Sequence, residues 1–330
     1  MTFMTSARLT VAALLGTAML AGPAAAQTTI RLAHHLQENS EQHLAATRLK
    51  ELVEERSNGE LKMEILPAGQ LGGQREIIEG VQFGTIEMGF GESGLYANYV
   101  PGFGILTLPY LYTGPEHWEA VVTGEIGQTM VDQLEEATGL VLTNWMLSGY
   151  RDTYTTDRVI ETPADFEGLK IRVPESPVFI ETFAALGAEP TPIPFTELYT
   201  ALQSGVVAAM EGTPESGMTQ RMYEVTKHLN KTRHILFDGS FVTSRMFLDS
   251  LSEENQKILM DAAAEVARMQ IDEQAAREAD WFEKLAETGI EIHDVDPAPF
   301  REVLTPVQDA FAEDAGATDA LAQIRELGAQ

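Results

Sequence analysis

"LKIRVPESPVFIETFAALGAEPTPIPFTELYTALQSGVVAAMEG", residues 169–212, is the stretch that decides the fold class of this 330-residue chain. Its runs LKIRV and VVAAMEG have the composition of buried strands, whereas the segments that begin at Pro177 and Thr196 have helical spacing and end near a glycine. Strands that alternate with helices in this way form parallel sheets with helices on their faces. The stretch therefore predicts an α/β fold.

A second β/α alternation occupies the chain before residue 91. Its order is strand, helix, strand, helix, strand, so both parts of the chain predict mostly parallel sheets flanked by helices. The predicted strands are TTIRLAHHL (28–36), LKMEILP (61–67) and TIEMGF (85–90), and the predicted helices run from about Ser40 and from Gly73 to Phe83; a further strand is predicted at LVLTNWML (140–147).

The composition changes at Gly149, where many Thr, Asp and Arg residues appear, and we interpret this change as the crossing into a second lobe. Near the other end, Ser252 can cap a helix that continues to about Thr288. Roughly 35 residues at 1.5 Å each give about 50 Å, which predicts one helix spanning both lobes. The predicted division is 27–148 for lobe 1, with a return segment at about 238–276, and 149–237 for lobe 2, completed by about 277–330.

Residues 1–26 have the pattern of a secretory signal peptide. Arg8 precedes an apolar run from Leu9 to Ala21 that is too short to span a bilayer, and GPAAAQ places small residues before a cut after Ala26. The sequence holds no cysteine, which excludes a lipid anchor at the cleavage site and a disulfide framework. We therefore expect an exported chain without a lipid anchor; a hydrophobic first helix of the fold is the alternative.

The formal net charge of −28 argues against two classes of partner. Nucleic acids and anionic membranes are themselves negative and would be repelled, so neither is expected to bind. A small anion would have to be held by short-range contacts in a dehydrated site.

The pattern GFGESG, residues 89–94, has the G-x-G-x-x-G spacing of a dinucleotide-binding turn. Such a turn opens a long helix, but here Pro101 and Gly102 follow after six residues, and Glu92 would place a carboxylate beside the phosphates. We therefore reject NAD binding and predict no cofactor. Glycines at this strand end would instead let the backbone approach a small ligand.

Motifs of common enzyme classes are missing from the sequence. H-E-x-x-H, G-x-S-x-G and G-x-x-x-x-G-K-[ST] do not occur, and the neighbours His34 and His35 would point to opposite faces of a strand and could not chelate one metal. A binding protein without enzymatic activity is predicted, and an exported α/β enzyme such as a hydrolase or oxidoreductase is the alternative.

The stretch quoted first resembles the substrate-binding proteins of TRAP transporters, of the DctP type. The family motif runs Gly-Leu-Lys-Ile-Arg-Val-Pro, Leu-Gly-Ala, Pro-Thr-Pro, Phe-x-Glu-Leu-Tyr and Leu-Gln-x-Gly-Val-Val, and each piece occurs in order between Gly168 and Val207. Further matches are LPAGQLGGQRE (66–76), GES (91–93), LPYLY (108–112) and SGYRDTYT (148–155). The resemblance covers essentially the whole chain after residue 26.

This resemblance implies a monomeric, two-lobed periplasmic receptor that closes by hinge motion around a small carboxylate-bearing molecule, such as a C4-dicarboxylate or a sugar acid. It also implies delivery to the membrane subunits of a TRAP permease that is driven by an ion gradient. An ABC-type periplasmic receptor, which would differ in its partner, is the alternative within binding proteins.

The resemblance also implies binding roles for five residues. Arg172 falls on the arginine that clamps the substrate carboxylate, and Arg151 on a second arginine at the start of lobe 2. Phe195 falls on the aromatic residue beneath the ligand, and lobe 1 should contribute His35 and Glu92. A guanidinium suits such a clamp because its planar fork binds a carboxylate bidentately and stays charged when dehydrated.

Ordinary roles remain open for both arginines. Arg172 could be a solvated charge at a strand end, and Arg151 could pair with Asp152 or Asp165.

One position departs from the family pattern. Glu211 is present, but Gly212 stands where many members have an Asn whose amide helps to hold the carboxylate. The glycine would leave room for a bulkier ligand, or for Glu215 to take over this contact. Trp145 and Tyr150 are predicted as apolar walls of the site, with core packing as the alternative for Trp145.

Overall fold

The computed structural model describes residues 27–329, so the predicted signal peptide lies outside the described residues. The strands are β1 (Thr28–Ala33), β2 (Leu61–Leu66), β3 (Met88–Gly91), β4 (Leu140–Leu142), β5 (Met146–Thr155), β6 (Lys170–Val173), β7 (Glu189–Pro192), β8 (Ala209–Gly212), β9 (His228–Ser244) and β10 (Glu291–Asp294). The α-helices are α1 (Glu41–Arg56), α2 (Gln74–Gln82), α3 (Ser93–Tyr96), α4 (Pro115–Val122), α5 (Glu125–Thr138), α6 (Pro177–Ala185), α7 (Leu198–Gln203), α8 (Pro214–Thr219), α9 (Arg245–Ser250), α10 (Glu253–Glu287), α11 (Ala298–Asp314) and α12 (Thr318–Leu327).

These strands form one mixed sheet in the order β2-β1-β3-β9-β5-β8-β6-β7, with β4 and β10 paired to β9 beside this path. The β/α alternation of the sequence produces the parallel pairs β1–β2, β1–β3, β6–β7 and β6–β8. The antiparallel pairs all include β5 or β9. The predicted α/β class with flanking helices is confirmed.

The two long strands β5 and β9 connect the two lobes. One end of β9 pairs His228 with Thr155 of β5, and its other end pairs Phe241 with Phe90 of β3. β9 has 17 residues and β5 has 10, so the chain crosses between the lobes within these strands.

The prediction of a single strand over 140–147 was wrong, because residues 143–145 separate β4 from β5. At this point the Thr143 hydroxyl donates a hydrogen bond to the Phe241 carbonyl (2.9 Å), and the Asn144 side-chain oxygen accepts one from the Phe241 N–H (2.8 Å). Short polar side chains that bond the neighbouring backbone in this way compete with the regular ladder.

Helix α10 contributes to the cores of both lobes. Its residues Leu259 and Val266 pack in a cluster with Leu49 of α1, whereas Leu285, near its other end, packs with Tyr154 of β5. The helix begins where predicted, because the Ser252 side chain accepts a hydrogen bond from the Asn255 N–H (3.2 Å). The prediction of a long helix spanning both lobes is confirmed.

The C-terminal helices also join the two lobes. Phe300 of α11 packs with Phe166 in the second lobe, whereas Phe311 of the same helix and Ile324 of α12 pack with Trp118 in the first. The predicted lobe boundaries stay a prediction, and this packing favours assigning α12 to lobe 1. Within residues 27–329, no helix combines the length and the apolar character needed to cross a membrane.

The glycines of residues 89–94 make room for protein side chains. A Cβ on Gly94 would lie 2.9 Å from the Phe179 ring, and one on Gly91 would overlap the Tyr96 hydroxyl. The expectation that these glycines approach a small ligand was therefore wrong, because aromatic side chains fill the space beside them.

Candidate functional site

A cleft between the lobes collects most of the predicted site residues. It contains about 740 Å³ of space free of atoms, including the part of its mouth that opens to solvent. The predicted residues that line the cleft are His35, Glu92, Arg151, Arg172, Phe195 and Glu215.

Arg172 supplies a buried positive charge to this cleft. It lies near the end of β6 and is only 3% exposed. Its Nε donates to the Ile193 carbonyl (2.8 Å), while the buried Nη1 has no hydrogen-bond partner among the described residues. Within residues 27–329, no carboxylate lies within 4.0 Å of its guanidinium, although the Phe195 ring centroid is 5.6 Å away.

The Arg172 guanidinium stays protonated at neutral pH. Burial, together with the charge of Arg151, lowers its pKa to about 10, although Glu211 and Glu92 act in the opposite direction. A buried cation without an anionic partner is costly, so the site is suited to a carboxylate brought by a ligand.

Arg151, in contrast, has a carboxylate partner within the protein. Its Nε and Nη2 both donate to the Glu211 carboxylate, the latter at 2.7 Å, and Nη2 also donates to the Glu211 carbonyl (3.2 Å). The guanidinium lies against the Phe237 and Phe179 rings, with centroids 4.2 and 5.1 Å away. Burial disfavours the charged form of Arg151, but the Glu211 charge outweighs this effect and raises its pKa.

The alternative pairings considered for Arg151 do not occur. Asp152 accepts a hydrogen bond from the Arg233 N–H (2.9 Å), and Asp165 accepts from the Thr162 N–H (2.7 Å). Burial alone would raise the pKa of Glu211, but the charge of Arg151 and contact with His234 lower it to about 2. Arg151 and Glu211 therefore form an ion pair with little net charge.

Two carboxyl groups in the cleft have raised pKa values. Burial raises the pKa of Glu92 to about 7, against the opposing charge of Arg151. Burial, reinforced by the charge of Glu41, raises the pKa of Glu215 to about 8. Near neutral pH these groups are partly or mostly protonated, and a neutral carboxyl group can both donate to and accept from a hydroxyl.

His35 is a neutral imidazole in the same cleft. Burial and the charges of His34 and Arg172 lower its pKa to about 3. Its ring meets the Phe195 ring edge-on, with centroids 5.5 Å apart, and its Nδ1 is buried without a hydrogen-bond partner in the part of the chain that the structure describes. It can therefore exchange a neutral hydrogen bond with a ligand.

Buried polar atoms without a partner are concentrated in this cleft. Of the twelve such side-chain atoms in residues 27–329, six belong to residues that line it. Buried polar groups are normally hydrogen-bonded, so this concentration marks a polar ligand site. The six residues are His35, Gln42, Gln74, Arg75, Arg172 and Ser176.

Gln42, Gln74, Arg75 and Ser176 were not predicted as site residues. Gln74 and Arg75 lie in the LPAGQLGGQRE match, so the family motif contained a signal for them. Arg75 also reaches Glu175 of the other lobe, with Nη2 and Oε1 3.6 Å apart, at the exposed rim. No comparable signal marked Gln42 or Ser176.

Two predicted apolar walls lie outside the cleft: the prediction was wrong for Tyr150, whereas Trp145 has the core packing that was its alternative. Trp145 stacks on Phe103 in the core of lobe 1, with ring centroids 5.9 Å apart. Tyr150 stacks with the Arg233 guanidinium, 3.9 Å from its ring centroid. Adjacent strand residues point to opposite faces, so Tyr150 faces away because Arg151 faces the cleft.

Neither Glu211 nor Gly212 lines the cleft, so their prediction as ligand contacts was wrong, and Glu211 instead pairs with Arg151. A Cβ on Gly212 would lie 2.7 Å from the Ser216 hydroxyl oxygen and 2.9 Å from the Met210 methyl carbon. The expected room for a bulkier ligand is therefore filled by these side chains. Glu215, named as a replacement for the missing amide, does reach the cleft.

The chain is similar to known solute-binding proteins. A solute-binding protein of Verminephrobacter eiseniae (strain EF01-2) is 34% identical over 306 residues, covering 92% of this chain and 90% of that protein. The 2,3-diketo-L-gulonate-binding periplasmic protein of Escherichia coli (strain K12) is 32% identical over 301 residues, covering 91% of this chain and 92% of that protein.

A solved structure has the same architecture. The sugar acid binding protein of Advenella mimigardefordensis strain DPN7T, in complex with galactonate, superposes with a TM-score of 0.88 at 25% identity and covers 92% of this chain and 99% of that chain. The model of the family "Bacterial extracellular solute-binding protein, family 7", the DctP family, matches residues 32–314. The chain therefore belongs to this family of two-lobed TRAP solute-binding proteins.

Proposed function

We propose that this receptor binds a hydroxylated monocarboxylic acid, such as an aldonic or uronic sugar acid, between its two lobes. The observation that supports this proposal is the buried Arg172 guanidinium, whose Nη1 has no partner among the described residues and lines the cleft. A ligand carboxylate would supply the missing acceptor in a charge-assisted hydrogen bond.

The charge of the cleft favours one carboxylate over two. Arg151 and Glu211 neutralise each other, which leaves Arg172 as the buried cation to be matched. A second carboxylate would face Glu92, which is partly ionised near neutral pH. A C4-dicarboxylate should therefore bind more weakly than a monocarboxylate of similar size, because like charges repel in a dehydrated site.

The remaining polar groups support hydroxyls on the ligand. Gln42, Ser176 and His35 each present a buried atom without a partner, and Glu92 and Glu215 can act as neutral donors. The relatives described above bind 2,3-diketo-L-gulonate and galactonate, both hydroxylated acids. Phe195 provides an apolar surface for the carbon chain.

We further propose the surroundings in which the receptor works. The family assignment supports a periplasmic protein that is exported by residues 1–26, acts as a monomer and delivers its ligand to the membrane subunits of a TRAP permease. Transport rather than turnover is the function of this family, so we propose that the chain has no enzymatic activity.

The test is a thermal-shift screen of sugar acids and dicarboxylates, followed by titration calorimetry of the hits. A ligand at 100 times its Kd stabilises the folded state by about 2.7 kcal/mol, which such a screen detects. Galactonate and D-glucuronate should stabilise the protein more than succinate at equal concentration. A protein stabilised only by dicarboxylates would contradict the proposed charge count.

Arg172 variants test the clamp itself. Arg172→Ala should weaken binding of the best acid by about 2–5 kcal/mol, and Arg172→Lys should recover only part of this loss because it cannot form a bidentate pair. The control is Arg56→Ala, which removes an exposed arginine paired with Glu265 on the surface. Unchanged affinity in Arg172→Ala would overturn the assignment.

A further inference from the structure

A second group of ligating side chains lies on β9 and β10, away from the cleft. His228 Nδ1 and His293 Nε2 are 3.2 Å apart, and the Glu291 Oε2 atom is 3.5 Å from the first and 3.9 Å from the second. The histidine side chains are 13% and 28% exposed, and that of Glu291 is 67% exposed. None of the three residues lines the cleft.

The sheet itself brings these residues together. β9 and β10 run parallel, and His228 stands opposite Glu291 in their register. Glu291 and His293 are two residues apart on β10, and alternate residues of a strand share one face. All three side chains therefore project to the same side of the sheet.

The spacing of the three atoms fits a small transition-metal ion. A point equidistant from the three atoms and in their plane lies about 2.1 Å from each of them, as the radius of the circle through three points with these separations. Zinc binds His nitrogen and carboxylate oxygen at about 2.0–2.2 Å. A hydrogen bond between the two imidazoles would explain their 3.2 Å separation, but it would not explain why Glu291 converges on both nitrogens.

We infer that His228, Glu291 and His293 bind Zn²⁺. Two imidazoles and one carboxylate are ligands that suit zinc, whereas Ca²⁺ and Mg²⁺ prefer sites made of oxygen atoms. The partial exposure of the cluster leaves space for water as a fourth ligand. Bound zinc would fasten β10, which leads into α11, to the long strand that connects the lobes.

The zinc site is independent of the organic-acid site. His228 pairs with Thr155, which lies four residues after Arg151 on β5. At about 3.3 Å per residue, the zinc site is therefore about 13 Å from Arg151 along the strand. Zinc should therefore bind whether or not an acid occupies the cleft, and failure of one proposal would leave the other intact.

The experiment is a calorimetric titration of the tag-free chain with ZnCl₂ after dialysis against a chelator. One Zn²⁺ per chain should bind with micromolar or tighter affinity and should raise the unfolding temperature, whereas CaCl₂ and MgCl₂ should do neither. His228→Asn and His293→Asn should each weaken zinc binding by at least about 100-fold, because the loss of an outer-sphere partner alone typically costs about 10–100-fold.

The matched control is His43→Asn. His43 Nδ1 lies 3.1 Å from His34 Nε2, so this variant breaks another close histidine pair, one that is not part of a three-ligand group in residues 27–329. Each variant should keep the circular dichroism spectrum of the parent in the absence of zinc. No saturable zinc binding, or binding that survives both cluster substitutions, would overturn the inference.

Discussion

Replacement of Glu211 by Gln should destabilise the protein strongly, although Gln has nearly the same shape. The Glu211 side chain is fully buried, and it accepts hydrogen bonds from two nitrogens of Arg151, which is itself only 5% exposed. In Glu211→Gln the guanidinium would keep its charge but lose the anion that balances it. Removing one partner of a buried ion pair commonly costs about 3–5 kcal/mol.

The pKa of Glu211 gives an independent magnitude. Its ordinary pKa is 4.5, and the balance of burial against the charge of Arg151 places it at about 2 in the folded chain. At 1.36 kcal/mol per pKa unit, this difference corresponds to about 3 kcal/mol of preference for the ionised form in the folded state. Both routes lead to a loss of about 3 kcal/mol or more at pH 7.

Urea unfolding followed by circular dichroism measures this loss. At roughly 2 °C per kcal/mol for a chain of this size, the thermal midpoint should also fall by about 6 °C. The matched control is Glu265→Gln, which removes a carboxylate from an exposed pair with Arg56 and should cost less than about 1 kcal/mol. The double variant Arg151→Met with Glu211→Leu should recover part of the lost stability, because it removes both charges of the pair.

A loss below about 1 kcal/mol in Glu211→Gln, equal to that of Glu265→Gln, would refute this reasoning. It would mean that water or another carboxylate compensates Arg151 as well as Glu211 does. Glu92 is the available candidate, since its charge also raises the pKa of Arg151. The combination Glu211→Gln with Glu92→Gln would then reveal the missing stability.

Two further perturbations can be tested. Burial raises the pKa of Glu92 to about 7 and that of Glu215 to about 8, from an ordinary 4.5. Between about pH 4.5 and 8 these two groups therefore bind more protons in the folded state than in the unfolded state. The free energy of unfolding should fall as the pH rises through this window. Thermal midpoints at pH 5.5 and 8.5 would show this fall, and an equal fall in the double variant Glu92→Gln with Glu215→Gln would contradict the assignment. Gly212→Asn should lower the free energy of unfolding in urea by about 1–3 kcal/mol, because the new Cβ would lie 2.7 Å from the Ser216 hydroxyl oxygen. Adding Ser216→Ala should recover part of this loss, and a Gly212→Asn variant as stable as the parent would contradict the reasoning.

The regular parts of the fold could be predicted because they follow from local patterns. The helix α1 begins at its Ser40 cap, α6 begins at Pro177, and the β/α alternation produces the parallel strands on both sides of the sheet. The long strand β9 was not predicted. It carries polar residues such as Asn230 and Asp238 at buried positions, and these residues are satisfied by hydrogen bonds to distant parts of the chain.

The candidate site shows the same limit. The motif around Arg172 identified the position of the cation, but the partner of Arg151 lies 60 residues away and was not expected. Tyr150 was misplaced because the sequence does not reveal which face of β5 points to the cleft. Gln42 and Ser176 depend on the packing of two lobes, which no local pattern contains.

A chain with a formal charge of −28 can hold an anion because its local and global charges act over different distances. Salt at physiological strength screens surface charges beyond about 8 Å, whereas the buried Arg172 acts at contact distance. Since Arg151 is already neutralised by Glu211, the attraction must come from Arg172, from Arg75 at the rim of the cleft and from the neutral groups around them. Selectivity should therefore depend on how well a ligand satisfies the polar atoms of both lobes at once.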